Sequence, residues 1–363
     1  MKKLLALILC VCMALCVVAC NDNKKEDPNP APATEAEYKL GMGIVVSTAS
    51  SKTGNAQVDA TVATVVLDKD GKIVLCRIDV AQNKMAIADG VVDTAKTFET
   101  KMELGDRYGM AAAKLDNDKN GVTLEWYEQT KAFEAYVVGK TGAEVKAMTT
   151  QTVNNHEITT DKALLEAGCS MQIVEFRDAV VAACNDEQGM TFKTAAKFTL
   201  GVAASTGAAD SKSATADEDG LVAMYSDFAA AVVADGKIIA ALNDAIQPKI
   251  AINTAGEIVS VTYVNTKRNL KEDYNMAKYA GANMDWNGDG KILEWYLQSL
   301  EFSKYVVGKT GADVKAMTTK AAAAEGAGAG YQISTDDALL SAGCTIQITA
   351  IKDVMANAVS YAR

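Results

Sequence analysis

Two short runs of oxygen-bearing side chains are spaced for metal binding. D-N-D-K-N-G spans 116–121 and D-W-N-G-D-G spans 285–290, which puts Asp116, Asp118 and Asn120, and again Asp285, Asn287 and Asp289, at alternate positions before a glycine. Alternating oxygen donors closed by a glycine that permits a sharp turn are what a calcium loop needs. The twelfth position, where a complete loop has a bidentate Glu, is Tyr127 or Tyr296, with Glu125 and Glu294 at the tenth. Calcium is therefore one expected ligand, and a polar turn leading into a helix is the other reading. VVGKTG at 137–142 and 306–311 invites a phosphate-loop reading. That loop needs a glycine five residues before the Gly-Lys pair, where Glu134 and Ser303 stand, and a strand before it, where the pattern is helical. Gly139 and Gly308 read instead as helix C-terminal caps, and Thr141 and Thr310 as N-caps of the next helix.

Other chemistries are thinly supplied. The single histidine, His156, excludes histidine-built zinc clusters and paired-histidine haem ligation, and it sits in a loop expected to be solvated. Lys and Arg number 36 against 46 Asp and Glu, for a net charge of −10, which argues against a nucleic-acid partner. Cys76, Cys169, Cys184 and Cys344 show no CxxC spacing and no dense framework, so buried free thiols are expected. Carboxylates such as Glu125 and Glu294 have no obvious acid–base partner in the sequence, and no enzyme active site is visible.

Aligning the chain with itself is more informative. Leu124–Thr150 matches Leu293–Thr319 at 20 of 27 positions, and DGKI at Asp70 recurs at Asp235. TTDKALLEAGCSMQI from Thr159 recurs as STDDALLSAGCTIQI from Ser334. A polar set, Gln82, Lys84, Lys101, Tyr108, Glu125 and Gln129, is repeated as Gln247, Lys249, Lys267, Tyr274, Glu294 and Gln298, and either set could line a pocket. Cys169 and Cys344 are shared, whereas Cys76 and Cys184 align with Ala241 and Val359. Two copies of one domain follow, at 38–188 and 195–363, each running from a Leu-Gly strand to a terminal helix.

Within a copy, Gln57–Leu67, the Asp70-Gly71 turn and Ile73–Val80 give a β-hairpin. Trp126, Gln129, Thr130, Phe133, Tyr136 and Val137 fall at helical spacing, and Thr141 with Glu144 writes a capping box, as Thr310 and Asp313 do in the second copy. A short helix from Asp161, a strand from Cys169 to Val174 and a last helix to Ala183 complete the unit. The expected class is α+β, two tandem copies of an antiparallel sheet with segregated helices. Segments 205–220 and 320–330 are small, polar insertions expected to be mobile loops.

At the N-terminus, Lys2 and Lys3 precede an apolar run of 15 residues, Leu4–Val18, too short to span a bilayer and read as a signal peptide over 1–19. Val17-Val18-Ala19-Cys20 resembles the lipobox of bacterial lipoproteins, which implies lipid on Cys20 and an extracytoplasmic, membrane-anchored protein. Residues 20–37, rich in Pro, Ala and charge, read as a disordered tether. SAGCTIQITAIKDVMANAV, from Ser341, and the DGKI hairpin resemble bacterial FMN-binding domains, in which the threonine of an SGAT motif carries flavin through a phosphoester bond. The resemblance implies Thr345 and Ser170 as carriers, although Ala-Gly-Cys replaces Ser-Gly-Ala and Leu339 or Leu164 stands where an aspartate is expected. Two functions are thus expected: a flavin-carrying redox module, or a noncatalytic lipoprotein that binds a small ligand or an envelope partner.

Overall fold

The computed structural model describes residues 35–113, 123–276, 293–322 and 330–363. In the first half, β1 (Ala36–Ser47), β2 (Asn55–Leu67) and β3 (Ile73–Ala86) form an antiparallel meander. From Val58 to Leu67, β2 is nearly all Val, Ala and Thr, the composition of a strand covered on both faces. α1 (Lys101–Leu104) starts from a Thr100–Glu103 capping box. α2 (Trp126–Val137) buries Trp126, Phe133 and Val137, and α3 (Gly142–Lys146) starts from the expected Thr141–Glu144 box. A hairpin of β4 (Thr150–Val153) and β5 (His156–Thr159) follows, then α4 (Lys162–Glu166), capped by Asp161, and α5 (Val174–Cys184).

The second half runs through β6 (Met190–Thr194), β7 (Thr199–Gly207), β8 (Gly220–Val222), β9 (Tyr225–Ala234), β10 (Lys237–Ile246), β11 (Lys249–Ile252) and β12 (Ile258–Thr262). It continues with α6 (Lys267–Leu270), α7 (Trp295–Tyr305), α8 (Gly311–Lys315), the β13 (Thr319–Ala321) and β14 (Gln332–Ser334) hairpin, α9 (Asp337–Ser341) and α10 (Thr349–Ser360). The class is α+β, with antiparallel sheets ordered β3-β2-β1-β6, β10-β9-β7 and β12-β11-β8. Among the described residues, no helix is long and apolar enough to cross a membrane.

Residues 35–363 form one compact unit. Alternate residues of the two large sheets point opposite ways, and one inward set from each half makes a shared core: Met42, Val58 and Val62 lie in the same cluster as Leu200, Phe228 and Val232. The outward set of each sheet packs under its own helices, as Val65 and Ile78 do with Trp126 and Phe176, and Ala231 and Ala241 with Phe302 and Val354. The layering is helix, sheet, sheet, helix.

Several expectations need correction. The tether does not reach residue 37, because β1 begins at Ala36. Residues 189–194, left between the two units, supply β6, which pairs with β1 from Ala36↔Thr194 to Leu40↔Met190. The segment 205–220 is not a free loop: β7 runs to Gly207, and Lys212 and Leu221 exchange backbone hydrogen bonds. Cys169–Ile173 is not a strand, for a reason given below.

The Leu-Gly pairs mark where each terminal helix rests on its sheet. A Cβ on Gly41 would lie 2.0 Å from the Ala183 carbonyl oxygen, and one on Gly201 1.8 Å from that of Ala358. The two VVGKTG loops dock on the DGKI turns: Gly139 N–H donates to the Ile73 carbonyl and Ile73 N–H to that of Lys140, and Gly308, Ile238 and Lys309 repeat the pattern.

Charged groups also tie the halves together. Asp186, just past α5, accepts two hydrogen bonds at 3.0 and 3.1 Å from the Arg268 guanidinium of α6, and both side chains are buried. Glu134 of α2 is buried between Arg77 and Arg363, with Arg363 Nη2 at 3.0 Å. Burial pushes its carboxyl up, and the two guanidiniums pull it back down.

Candidate functional site

The repeated polar residues separate into two jobs. Gln129 and Gln298, both buried, brace the Ala-Gly-Cys segment of their own half. The Gln129 side-chain oxygen accepts the N–H groups of Ser170 and Met171, and its amide donates to the Leu124 carbonyl. The Gln298 oxygen accepts the Thr345 N–H at 2.7 Å and the Thr345 hydroxyl at 3.2 Å. These bonds take N–H groups that a ladder would use, so the alternating residues 169–173 make a turn into α5 instead of the expected strand. Ser170 and Thr345, the two expected flavin carriers, are buried at 3% and 4% exposure within these turns.

Glu125 and Glu294 are likewise committed to backbone. Glu125 accepts the N–H groups of Met110 and Ala111, and Glu294 accepts that of Met276. Asp116, Asp118, Asn120, Asp285, Asn287 and Asp289, the expected calcium donors, and Cys20, the expected lipid carrier, lie outside the described residues. Among the described residues, no group of three His, Cys, Asp or Glu side chains is placed to hold a metal. His156 opens β5 and is exposed.

The four cysteines of the folded unit are free, with Cys76, Cys169 and Cys344 buried and Cys184 partly so. Burial pushes the Cys169 and Cys344 thiols up to about 12 and that of Cys184 up to about 11. Because the thiolate is the reactive form, native protein at pH 8 should react with a thiol reagent slowly and at Cys184 first. Quantitative labelling of Cys169 or Cys344 without denaturant would contradict this packing.

Asp79 and Asp244 form a matched pair that was not singled out in the sequence. Each is buried and caps a short helix: Asp79 Oδ1 accepts the N–H of Met102, and Asp244 Oδ1 that of Arg268. Burial pushes the Asp79 carboxyl up to about 6, against hydrogen bonds from Thr100, Met102 and Val80 that lower it. A carboxyl raised on folding binds its proton more tightly in the native state, so its contribution to stability falls as pH rises from about 4 to 6. Asp79→Asn keeps an acceptor for both backbone N–H groups and removes the charge. Its stability relative to wild type should therefore rise by roughly 2–3 kcal/mol between pH 4 and pH 7.5 in urea titrations, and a flat difference would refute the linkage.

The remaining repeated residues converge in the second half. Gln247, Lys249, Lys267 and Tyr274 line a cleft of about 530 Å³ together with the start of β9, the end of β10 and the first turn of α10. That volume is within the ~300–1,000 Å³ of small-molecule sites. The Tyr274 hydroxyl donates to Gln247 Oε1 at 2.8 Å. The Lys267 ammonium lies over the Tyr274 and Trp295 rings, 4.9 and 5.2 Å from their centroids, and Lys249 over the Tyr263 ring at 5.1 Å. The lysine-on-two-rings device recurs in the first half as Lys101 over Tyr108 and Trp126.

Further residues close the outer side of this cleft. Asp210 comes from the 205–220 segment, and Tyr331 directly follows the 320–330 segment. On β9, Tyr225 and Asp227 face the cleft, and Asp227 stands opposite Ala245 as Thr61 stands opposite Val80. Burial pushes the Asp227 carboxyl up to about 6, with Lys267 pulling it down and Asp244 pushing it up. Burial likewise takes the Tyr225 phenol up to about 12. Tyr263, 44% exposed on the rim, holds φ at +57°, a left-handed conformation uncommon for a bulky residue and characteristic of functional sites. Sequence spacing signalled four lining residues through their repetition. Asp210, Tyr225, Asp227, Tyr263 and Tyr331 carried no such signal because the first half has no counterpart of the same type. Neither a family model, nor a curated protein, nor a solved structure matches the chain.

Proposed function

We propose that this chain is a lipid-anchored, extracytoplasmic binding protein whose second half takes a small ligand and whose first half serves as its structural partner. The observation that carries the reading is the convergence on one cleft of repeated residues, Gln247, Lys249, Lys267 and Tyr274, with Asp210 of the 205–220 segment and Tyr331 adding to its walls. The apolar leader and Cys20 support the anchor. Burial of the Ser170 and Thr345 hydroxyls favours noncovalent binding over covalent flavin, since phosphoester formation needs an accessible hydroxyl.

Native mass spectrometry of the full chain, purified in detergent from a bacterial host with lipoprotein processing and flavin transferase, tests the reading. A noncovalent small molecule is expected on the wild-type protein and lost from the Asp227→Ala, Tyr263→Ala double variant. A flavin mass on Thr345 or Ser170 would replace this reading with the redox one. A bare protein that no metabolite extract stabilises would remove it.

A further inference from the structure

We infer that the cleft takes an uncharged, polyhydroxylated ligand, a short oligosaccharide. The inference rests on the cleft being a ligand site, as proposed above, and adds the chemical class. Two carboxylates, Asp210 and Asp227, and two ammoniums, Lys249 and Lys267, line the cleft, so its charged side chains balance. Both ammoniums already lie over aromatic faces. A charged ligand entering a partly desolvated cleft needs an uncommitted opposite charge, and this lining offers none in excess.

The cleft offers instead a division into polar edges and apolar faces. Ile346, Ala350 and Ile351, at and just before the first turn of α10, give it an aliphatic side, with Ile346 and Ile351 each 3% exposed. Tyr225, held in a hydrogen bond with Gln247, and Asp227 present a hydroxyl and a carboxylate that donate to and accept from ligand hydroxyls. A pyranose ring matches both surfaces, since its C–H faces are apolar and its equatorial rim carries hydroxyls. Tyr263, with Lys249 against its ring, places an exposed aromatic surface among the lining residues, where a further ring would rest. Asp227 supplies the strongest acceptor, because hydrogen bonds to an ionised group are about twice as strong as neutral ones.

Isothermal titration of the detergent-solubilised full chain with maltotriose, cellotriose, mannotriose and chitotriose tests the class, beside anionic trigalacturonate and cationic chitosan trimer. At least one uncharged trimer should bind, with quenching or shift of tryptophan emission from Trp295, and the charged trimers should bind at least about tenfold more weakly. Asp227→Asn and Tyr263→Ala should each weaken that binding by about tenfold or more, because a site built around hydroxyls discriminates through the groups that pair with them. Retention on insoluble starch, cellulose or chitin, competed off by the free trimer, identifies a polymer as the source; binding of the trimer alone identifies a free oligosaccharide. Binding confined to a charged trimer, uncharged binding that survives both substitutions, or no binding at all would overturn the inference. If no trimer binds while a cleft-dependent molecule still co-purifies, the saccharide class falls and the binding reading stands. If the double variant also retains its ligand, both fall.

Discussion

Gly201→Ala is expected to destabilise the fold by about 3 kcal/mol or more, at the upper end of overpacking effects. The added Cβ would lie 1.8 Å from the Ala358 carbonyl oxygen and 2.8 Å from the Ala362 nitrogen. Both atoms are backbone, so no rotamer change relieves the contact, and α10 must lift away from β7. Lifting it uncovers Ala203 and Ala231, which share the outer core of the second half with Ile351 and Val354. Gly41→Ala should act alike on α5, with the Ala183 oxygen at 2.0 Å. Urea unfolding followed by far-UV circular dichroism gives the measure. A loss below about 1 kcal/mol for Gly201→Ala would mean that helix and strand are further apart than described.

The second large effect belongs to the ion pair between the halves. Arg268 and Asp186 are 6% and 8% exposed, and Asp186 also accepts the N–H groups of Met42 and Gln188. Arg268→Met leaves the carboxylate buried without its cation, at a cost of about 3–5 kcal/mol. Asp186→Ala is expected to be at least as harmful, because it strands the guanidinium and two backbone donors together. The double variant should lose clearly less than the sum of the two, since its second substitution removes the group that the first left unpaired. Additive losses in the cycle would show that the two groups do not interact in solution.

How far the sequence reveals this structure depends on the range of the interaction that fixes each element. The β2–β3 hairpin, α2 and both Thr-led capping boxes follow from residues within a few positions of one another, and their spacing suffices to read them. The turn at 169–173 is different, because Gln129 holds it from 41 and 42 residues away. Its Cys-Ser-Met-Gln-Ile alternation resembles a strand only until that amide is placed. The shared core was present as a hint in the Val-, Ala- and Thr-rich run of β2, which needs cover on both sides, but the identity of the second cover is a tertiary fact. In the cleft, repetition marked Gln247, Lys249, Lys267 and Tyr274. Asp210 was hidden because it sits in a segment whose composition suggests only a linker, and Tyr331, just past another such segment, is a single wall residue with no pattern to recognise.

The inner core has a consequence for the history of such a chain. A polypeptide with one copy alone would leave one face of its sheet in water, and two such polypeptides meeting across a twofold axis would cover it again. Carrying both halves on one chain turns that encounter into an intramolecular one, so the partnership no longer depends on concentration. It also ends the obligation of both partners to stay alike. A symmetric dimer must change both sites at once, whereas here one half carries Tyr225 and Asp227 where the other keeps Asp59 and Thr61. Covalent continuity between the halves is what allows one of them to specialise while the other holds it in shape.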